Sequence, residues 1–175
     1  SAGAANAVQS AADLGVQPFT SGASLGVGSA AGGVLGLTDA TLANLGWGAG
    51  RLLTLGGATT GPATVATSTT FANPLAIVTG SGHDITLAGP LTSTSSATGP
   101  TVVLSAGGDF VNNTGAAAIV PGSGVWRVYS TDPAADTRGG LVPDFKQYGA
   151  AYAATAVLGS GDGFLYRIAP VLTPT

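Results

Sequence analysis

The chain contains no cysteine, no methionine and no glutamate, and only 7% of its 175 residues are charged. Without cysteine neither a disulfide framework nor a thiolate metal site can form, and a chain that must stay unfolded while crossing an oxidising space avoids cross-linking. Five basic residues against eight aspartates leave a net charge of −3 and a pI near 4.5. Phosphate binding needs clustered Lys and Arg, so no nucleic-acid partner is expected. No stretch approaches the ~18 consecutive apolar residues of a membrane-spanning helix, so no membrane insertion is expected either. The opening SAGAANAVQS lacks a basic segment followed by an apolar one. Either a signal has been removed or the chain is internal to a longer protein, and the second is the expectation.

What the chain has in plenty is glycine, 29 residues, with 45% hydrophobic residues and a mean hydropathy of +0.42. That hydropathy excludes wholesale disorder, and the absence of a strict three-residue glycine period excludes collagen. With charge far below the usual share of about 25%, surface polarity must come from Ser, Thr and Asn.

The glycines and small polar residues separate short β-branched runs, seen best in LAIVTGSGHDITLAG, TVVLSAGGDFVNNTGAAAIV and VWRVYS. Runs this short, bounded by turn-formers, read as many brief strands. Leu53, Ala76, Val103 and Arg127 recur at comparable places, as do Val65, Ile85 and Phe110, giving a period of about 20 to 27 residues, which belongs to solenoids. A parallel β-helix stacks such strands about 4.8 Å apart, so inward aliphatic side chains form columns and Gly and Asn take the corners.

Along the chain, Asn6 suits the cap of a short helix through Ala12 that stops at Gly15. LGV at 14–16 and again at 25–27 reads as the first thin rungs. One or two helical turns are expected between Thr38 and Leu45, then strands at 52–55 and near 63–66. Thr92 to Pro100 reads as a low-complexity loop bulging from the side of the rod. Composition changes at Trp126: residues 126–166 hold seven of the aromatic side chains, and four of the five basic residues lie between Arg127 and Arg167. Repeat folds need atypical terminal units, so this part is expected to form an aromatic cap ending in a strand at GFLYRI. Tyr148 and Tyr152 alternate along a strand or lie four apart on a helix; both remain open. The expected organisation is rungs over 1–125, terminal strands and cap over 126–168, and a Pro/Thr linker over 169–175.

The segments NPLAIVTGSGHDITLAG, TVVLSAGGDFVNNTGAAAI and above all GVWRVYSTDPAADTRGGLVPDFKQYGA resemble filamentous-haemagglutinin-like exoproteins that Gram-negative bacteria secrete by the two-partner route. The resemblance covers about residues 34–172. It implies an all-β right-handed parallel β-helix (solenoid) with an aromatic-rich C-terminal cap. It also implies a secreted or cell-surface adhesin, exported through an outer-membrane two-partner-secretion transporter, that projects a rod and binding surface for attachment or biofilm. Expected partners are that transporter, a host or bacterial surface glycan or protein, and, through open strand edges, further copies of the chain end to end. The competing reading is a polysaccharide-binding or polysaccharide-cleaving β-helix.

The residues themselves offer little chemistry. His83, the only histidine, precedes Asp84, with Asp109 one rung away, but glycosidic catalysis needs two carboxylates about 5 to 9.5 Å apart. Asp at corners more often forms an Asx turn with its own backbone. Gly80-Ser81-Gly82-His83-Asp84-Ile85 approaches a calcium-binding nonapeptide but does not recur in tandem, and Gly159-Ser160-Gly161-Asp162-Gly163 fits no better. Asn112 reads as a corner asparagine. No catalytic, cofactor or metal residues are assigned and no cofactor is expected. Threonine ladders suited to an ordered solid are not expected, because the clusters at 67–70 and 92–98 fall in loops. The ligand-contact candidates are Trp126, Tyr129, Tyr148 and Tyr152, since Tyr and Trp offer large rigid area with a polar tip. The alternative for each is closure of the core.

Overall fold

The structure is a computed structural model and describes residues 8–170. Every strand pairing in it is parallel. Strands β1 (Val8–Ser10), β2 (Leu14–Val16) and β3 (Leu25–Val27) form the first circuit. A side excursion follows: β4 (Leu35–Leu37) pairs with β3, and the single helical turn α1 (Asp39–Leu42) leads to β5 (Leu45–Trp47), which pairs with β1. The Thr38 hydroxyl caps α1 by accepting the Thr41 N–H at 3.2 Å. Winding then becomes regular, with β6 (Leu53–Gly56), β7 (Ala63–Val65) and β8 (Thr69–Phe71) succeeded by β9 (Leu75–Val78), β10 (Ile85–Leu87) and β11 (Leu91–Ser93). Next come β12 (Pro100–Ser105), β13 (Phe110–Asn112), β14 (Ile119–Val120) and β15 (Val125–Ser130), and finally β16 (Phe145–Tyr148) and β17 (Gly163–Tyr166).

Successive circuits stack into a seven-stranded sheet, β16-β17-β15-β12-β9-β6-β2, a five-stranded sheet, β13-β10-β7-β3-β4, a three-stranded sheet, β14-β11-β8, and the pair β1-β5. This is a parallel β-helix, and its interior is read directly from the registers. Leu14, Leu53, Leu75, Val102 and Trp126 form one column; Val16, Leu55, Ile77, Leu104, Val128 and Phe164 form the next. Most are fully buried in one apolar core that also takes Val27, Val65, Leu87 and Phe110 from the five-stranded sheet and Leu91 and Ile119 from the three-stranded one. Each such side chain contributes roughly 1.5 to 3 kcal/mol. The last circuits are aromatic inside: Phe164 meets Trp126 edge-on at 5.1 Å and Phe110 at 6.0 Å, and Tyr148 stacks on Tyr166 at 5.6 Å.

Corners are built from close backbone approach. A Cβ at Gly107 would collide with the Gly80 carbonyl one circuit below. At the corner after β13, the Asn112 amide oxygen accepts the N–H groups of Thr114 and Gly115, and its NH₂ donates to the carbonyls of Gly115 and Arg138. The corner asparagine is as expected.

Several local expectations are corrected. The helix placed over Asn6 to Ala12 is instead β1 over its described part; its first residues lie outside the described ones. Pairing with Leu45–Trp47 there overrides helix propensity. Registers differ from the sequence spacing: Thr54, not Leu53, aligns with Ala76, Val103 and Arg127, and Ala63, not Val65, aligns with Ile85 and Phe110. Short corner insertions absorb the difference. Of the loop expected over Thr92 to Pro100, residues 94–99 do lie between strands, but Thr92 belongs to β11, with Thr70 in β8 aligned to it, and Pro100 begins β12. Threonines therefore do sit in register on that face, though the next partner is Val120. Tyr148 ends β16, whereas Tyr152 lies in the turn that follows. The strand at GFLYRI is present as β17, and the linker expected over 169–175 lies beyond the described residues from 171 onwards.

Candidate functional site

Outward-facing residues of the seven-stranded sheet are not all wet. Ala76, Val103 and Tyr129 face away from the interior yet are buried, and with Leu165 and Ala150 they form a second apolar cluster. The chain segment between β16 and β17 covers them. Its backbone turns sharply after Tyr148, at Gly149 and at Ala153, both with positive φ, and is tied down by Gln147, whose amide donates to the Ala156 carbonyl at 2.9 Å and accepts the Leu158 N–H at 2.9 Å. Phe145 lies across Gly159 and Gly163, where a Cβ would occupy the ring's space. In Gly159-Ser160-Gly161-Asp162-Gly163 the first and last glycines thus make room for an aromatic ring, while Gly161 lies against the Asp144 carboxylate.

Where this covering segment stops, a groove of about 360 Å³ opens along the corner that follows the seven-stranded sheet. Its floor comes from successive circuits: Ala58, then Val78 to Ser81, then Ser105 and Gly107; Ala151 and Tyr152 form one wall, and Arg167 lines it from just past β17. The floor's three circuits span about 10 Å at the usual strand spacing. The hydroxyl of Thr79 is committed, donating to the His83 carbonyl at 2.6 Å and accepting the Gly107 N–H at 3.0 Å. Ser81 is exposed and Ser105 half-buried. An aromatic wall, hydroxyls and one guanidinium are the groups that hold a polar molecule with flat apolar faces.

The four aromatic candidates separate into different roles. Trp126 is 3% exposed and belongs to the interior. Tyr129 is 8% exposed and is covered by Tyr152, whose ring meets it edge-on at 5.4 Å; burial raises the pKa of both phenols. Tyr148 is exposed on its outer side while stacking on Tyr166, a fully buried ring whose phenol burial pushes up to about 12. Only Tyr152 of the four lines the groove.

The aspartates bracket the circuits. Asp84 Oδ1 accepts the Asp109 N–H at 2.8 Å, Asp136 Oδ1 that of Phe110 at 2.8 Å, Asp162 Oδ1 that of Trp126 at 2.8 Å, and Asp13 Oδ1 that of Leu52 at 3.0 Å. The expected Asx turn with a residue's own local backbone holds at Asp132, which accepts the Ala134 N–H, but these four instead reach an adjacent circuit. Asp109 is raised from the ordinary carboxylate range by burial, then by the negative charges of Asp84 and Asp132. Asp136 is pushed up to about 6, chiefly by burial against the opposing hydrogen bonds from Phe110 and Ser130. Asp162 is raised by burial too. Burial likewise lowers the pKa of Arg127, whose guanidinium lies 4.8 Å from the centre of the Phe145 ring and donates to the Trp126 carbonyl. Among the described residues no group of three or more His or Asp side chains is placed to hold a metal ion. His83 contributes its backbone to this corner: its N–H donates to Gly80 and its carbonyl accepts from Thr79 and Gly108.

Arg167, Ser81 and Ser105 were not among the sequence candidates. One signal did exist: LAIV, TVVL and GFLY are apolar at consecutive positions, as strands covered on both faces are, which implies a segment lying on the outside and an edge where it ends. No protein-family model, curated protein or solved structure matches this chain.

Proposed function

We propose that the chain is a structural and adhesive segment of a large secreted or surface-exposed bacterial exoprotein, a rod that carries a polysaccharide-binding groove on its side. The observation that carries this reading is the groove at Tyr152, in which an aromatic wall and the Ser81 and Ser105 hydroxyls lie along successive circuits of the rod. A ladder of parallel strands suits such a task because successive circuits lie about 4.8 Å apart, presenting an extended ligand with a floor several circuits long rather than a point. Binding without turnover is favoured over cleavage because no carboxylate lines the groove and Asp84 is engaged with the next circuit. Export by a two-partner transporter and residence at the Gram-negative cell surface belong to this proposal and rest on the resemblance of the Trp126 to Gly140 segment.

A glycan array probed with the purified chain, followed by a reducing-sugar assay on whatever binds, tests it. Retention of at least one polysaccharide class without release of reducing ends, lost in Tyr152→Ala, is the expected result. Reducing ends released by the chain, or an array on which nothing binds, refutes the reading.

A further inference from the structure

The groove has an electrostatic character that its apolar and hydroxyl groups alone do not require. Arg167 is the single charged residue that lines it, and no aspartate does. This is unexpected in a chain of net charge −3, where eight aspartates outnumber five basic residues. Arg167 is solvent-exposed and lies immediately beyond β17, where its backbone N–H donates to the Ser130 carbonyl at 3.0 Å. The last strand therefore fixes the root of the side chain beside the groove. Tyr152, opposite the floor, is held by its edge-on contact with Tyr129.

We propose that the groove selects an acidic saccharide, one whose sugar units carry carboxylates, with Arg167 pairing the carboxylate and Tyr152 covering a ring face. This rests on the polysaccharide-binding reading above and narrows it. A guanidinium presents two parallel N–H donors matched to the two carboxylate oxygens, which an ammonium cannot reproduce. A sugar ring has an apolar face for Tyr152 and hydroxyls for Ser81 and Ser105. A single guanidinium suits one carboxylate per binding position, whereas polyphosphate binding needs several cations together. With no carboxylate lining the groove, Arg167 gives the approaching anion a locally positive wall in an otherwise acidic molecule.

The test uses a galacturonate oligosaccharide, the same oligosaccharide fully methyl-esterified, and a neutral galactose oligosaccharide, with binding measured calorimetrically. The free acid binds about tenfold more tightly than its ester, matching one exposed charge-assisted contact, and the preference weakens as salt is added. Arg167→Gln abolishes the preference, bringing the affinity for the free acid down to that for the ester. Arg167→Lys retains only part of it, and both variants keep the wild-type unfolding midpoint. If the ester binds as tightly as the acid, or Arg167→Gln leaves the preference intact, the acidic assignment is wrong while the polysaccharide reading stands. If none of the three binds and the glycan array is also blank, both fail together.

Discussion

Replacing Asp136 with Asn should stabilise the protein at neutral pH and leave it unchanged in acid. The Asp136 carboxylate has two good partners, the Phe110 N–H on Oδ1 at 2.8 Å and the Ser130 hydroxyl on Oδ2 at 2.7 Å. Both favour the charged form, and the Arg138 charge helps; yet burial, assisted by the Asp109 charge, outweighs them and lifts the pKa from 3.8 to about 6. The sign follows from proton uptake. Between those values the native state holds a proton that the unfolded chain has released, so stability is fully present below about pH 3.8 and is lost as pH rises through about 6. The difference corresponds to about 3 kcal/mol at most, reduced to about 2 kcal/mol for a side chain that retains some solvent contact. Asparagine keeps an oxygen for the Phe110 N–H, and the Ser130 hydroxyl can turn to accept from the new NH₂. The variant therefore keeps the geometry and sheds the charge. Thermal unfolding followed by tryptophan fluorescence, from the buried Trp126 and the half-buried Trp47, should give equal midpoints near pH 4 and a variant midpoint about 4 to 8 °C higher at pH 7.5. An advantage of the same size at both pH values, or none at pH 7.5, would refute the reasoning.

Further outcomes follow from the interior and the corners. Phe164→Ala removes a fully buried ring that touches Phe110, Trp126 and Tyr166, and should lower the unfolding free energy in urea by about 3 to 5 kcal/mol. Tyr148→Ala removes a ring 42% exposed and should cost about 1 kcal/mol in the same titration. Gly107→Ala forces a methyl onto the Gly80 carbonyl and should cost about 1 to 3 kcal/mol, whereas Gly99→Ala, with open space around it, should be neutral or mildly stabilising. Asp84→Ala leaves the Asp109 N–H without its acceptor and should cost about 1 to 2 kcal/mol, while Asp84→Asn, which keeps an oxygen there, should restore most of it.

The architecture was largely legible because both signals that define it are local. Short β-branched runs such as LAIV and ITL state where strands occur, and Gly and Asn between them state where the chain turns. Register was less legible, since a pairing shift of one residue, as between Leu53 and Thr54 against Ala76, leaves the run itself looking the same and is decided by corner length. Trp126, a ligand-contact candidate by residue type, takes instead the interior place that its strand-like run also allowed. The groove was not legible, because Tyr152 and Arg167 meet the Ser81 and Ser105 floor only through the folding back of the segment after Tyr148, a tertiary event with no periodicity to announce it. The bracketing aspartates were hidden for a similar reason: Asp162 serves the N–H of Trp126 from 36 residues away.

The order of the terminal strands carries one more consequence. In space β17 lies between β15 and β16, although β16 precedes it in the chain. The polypeptide thus reaches the outermost berth first and slots the inner one afterwards. The strand pairing of β16 is with β17, so until residues 163–166 arrive β16 lacks its ladder partner, and these two courses must assemble as one cooperative step instead of growing one at a time. For a chain emerging from a ribosome or a pore, this latch delays completion of the terminal tier until both segments are through, and once closed it resists unravelling from that side, because the edge strand cannot peel without exposing the one beneath.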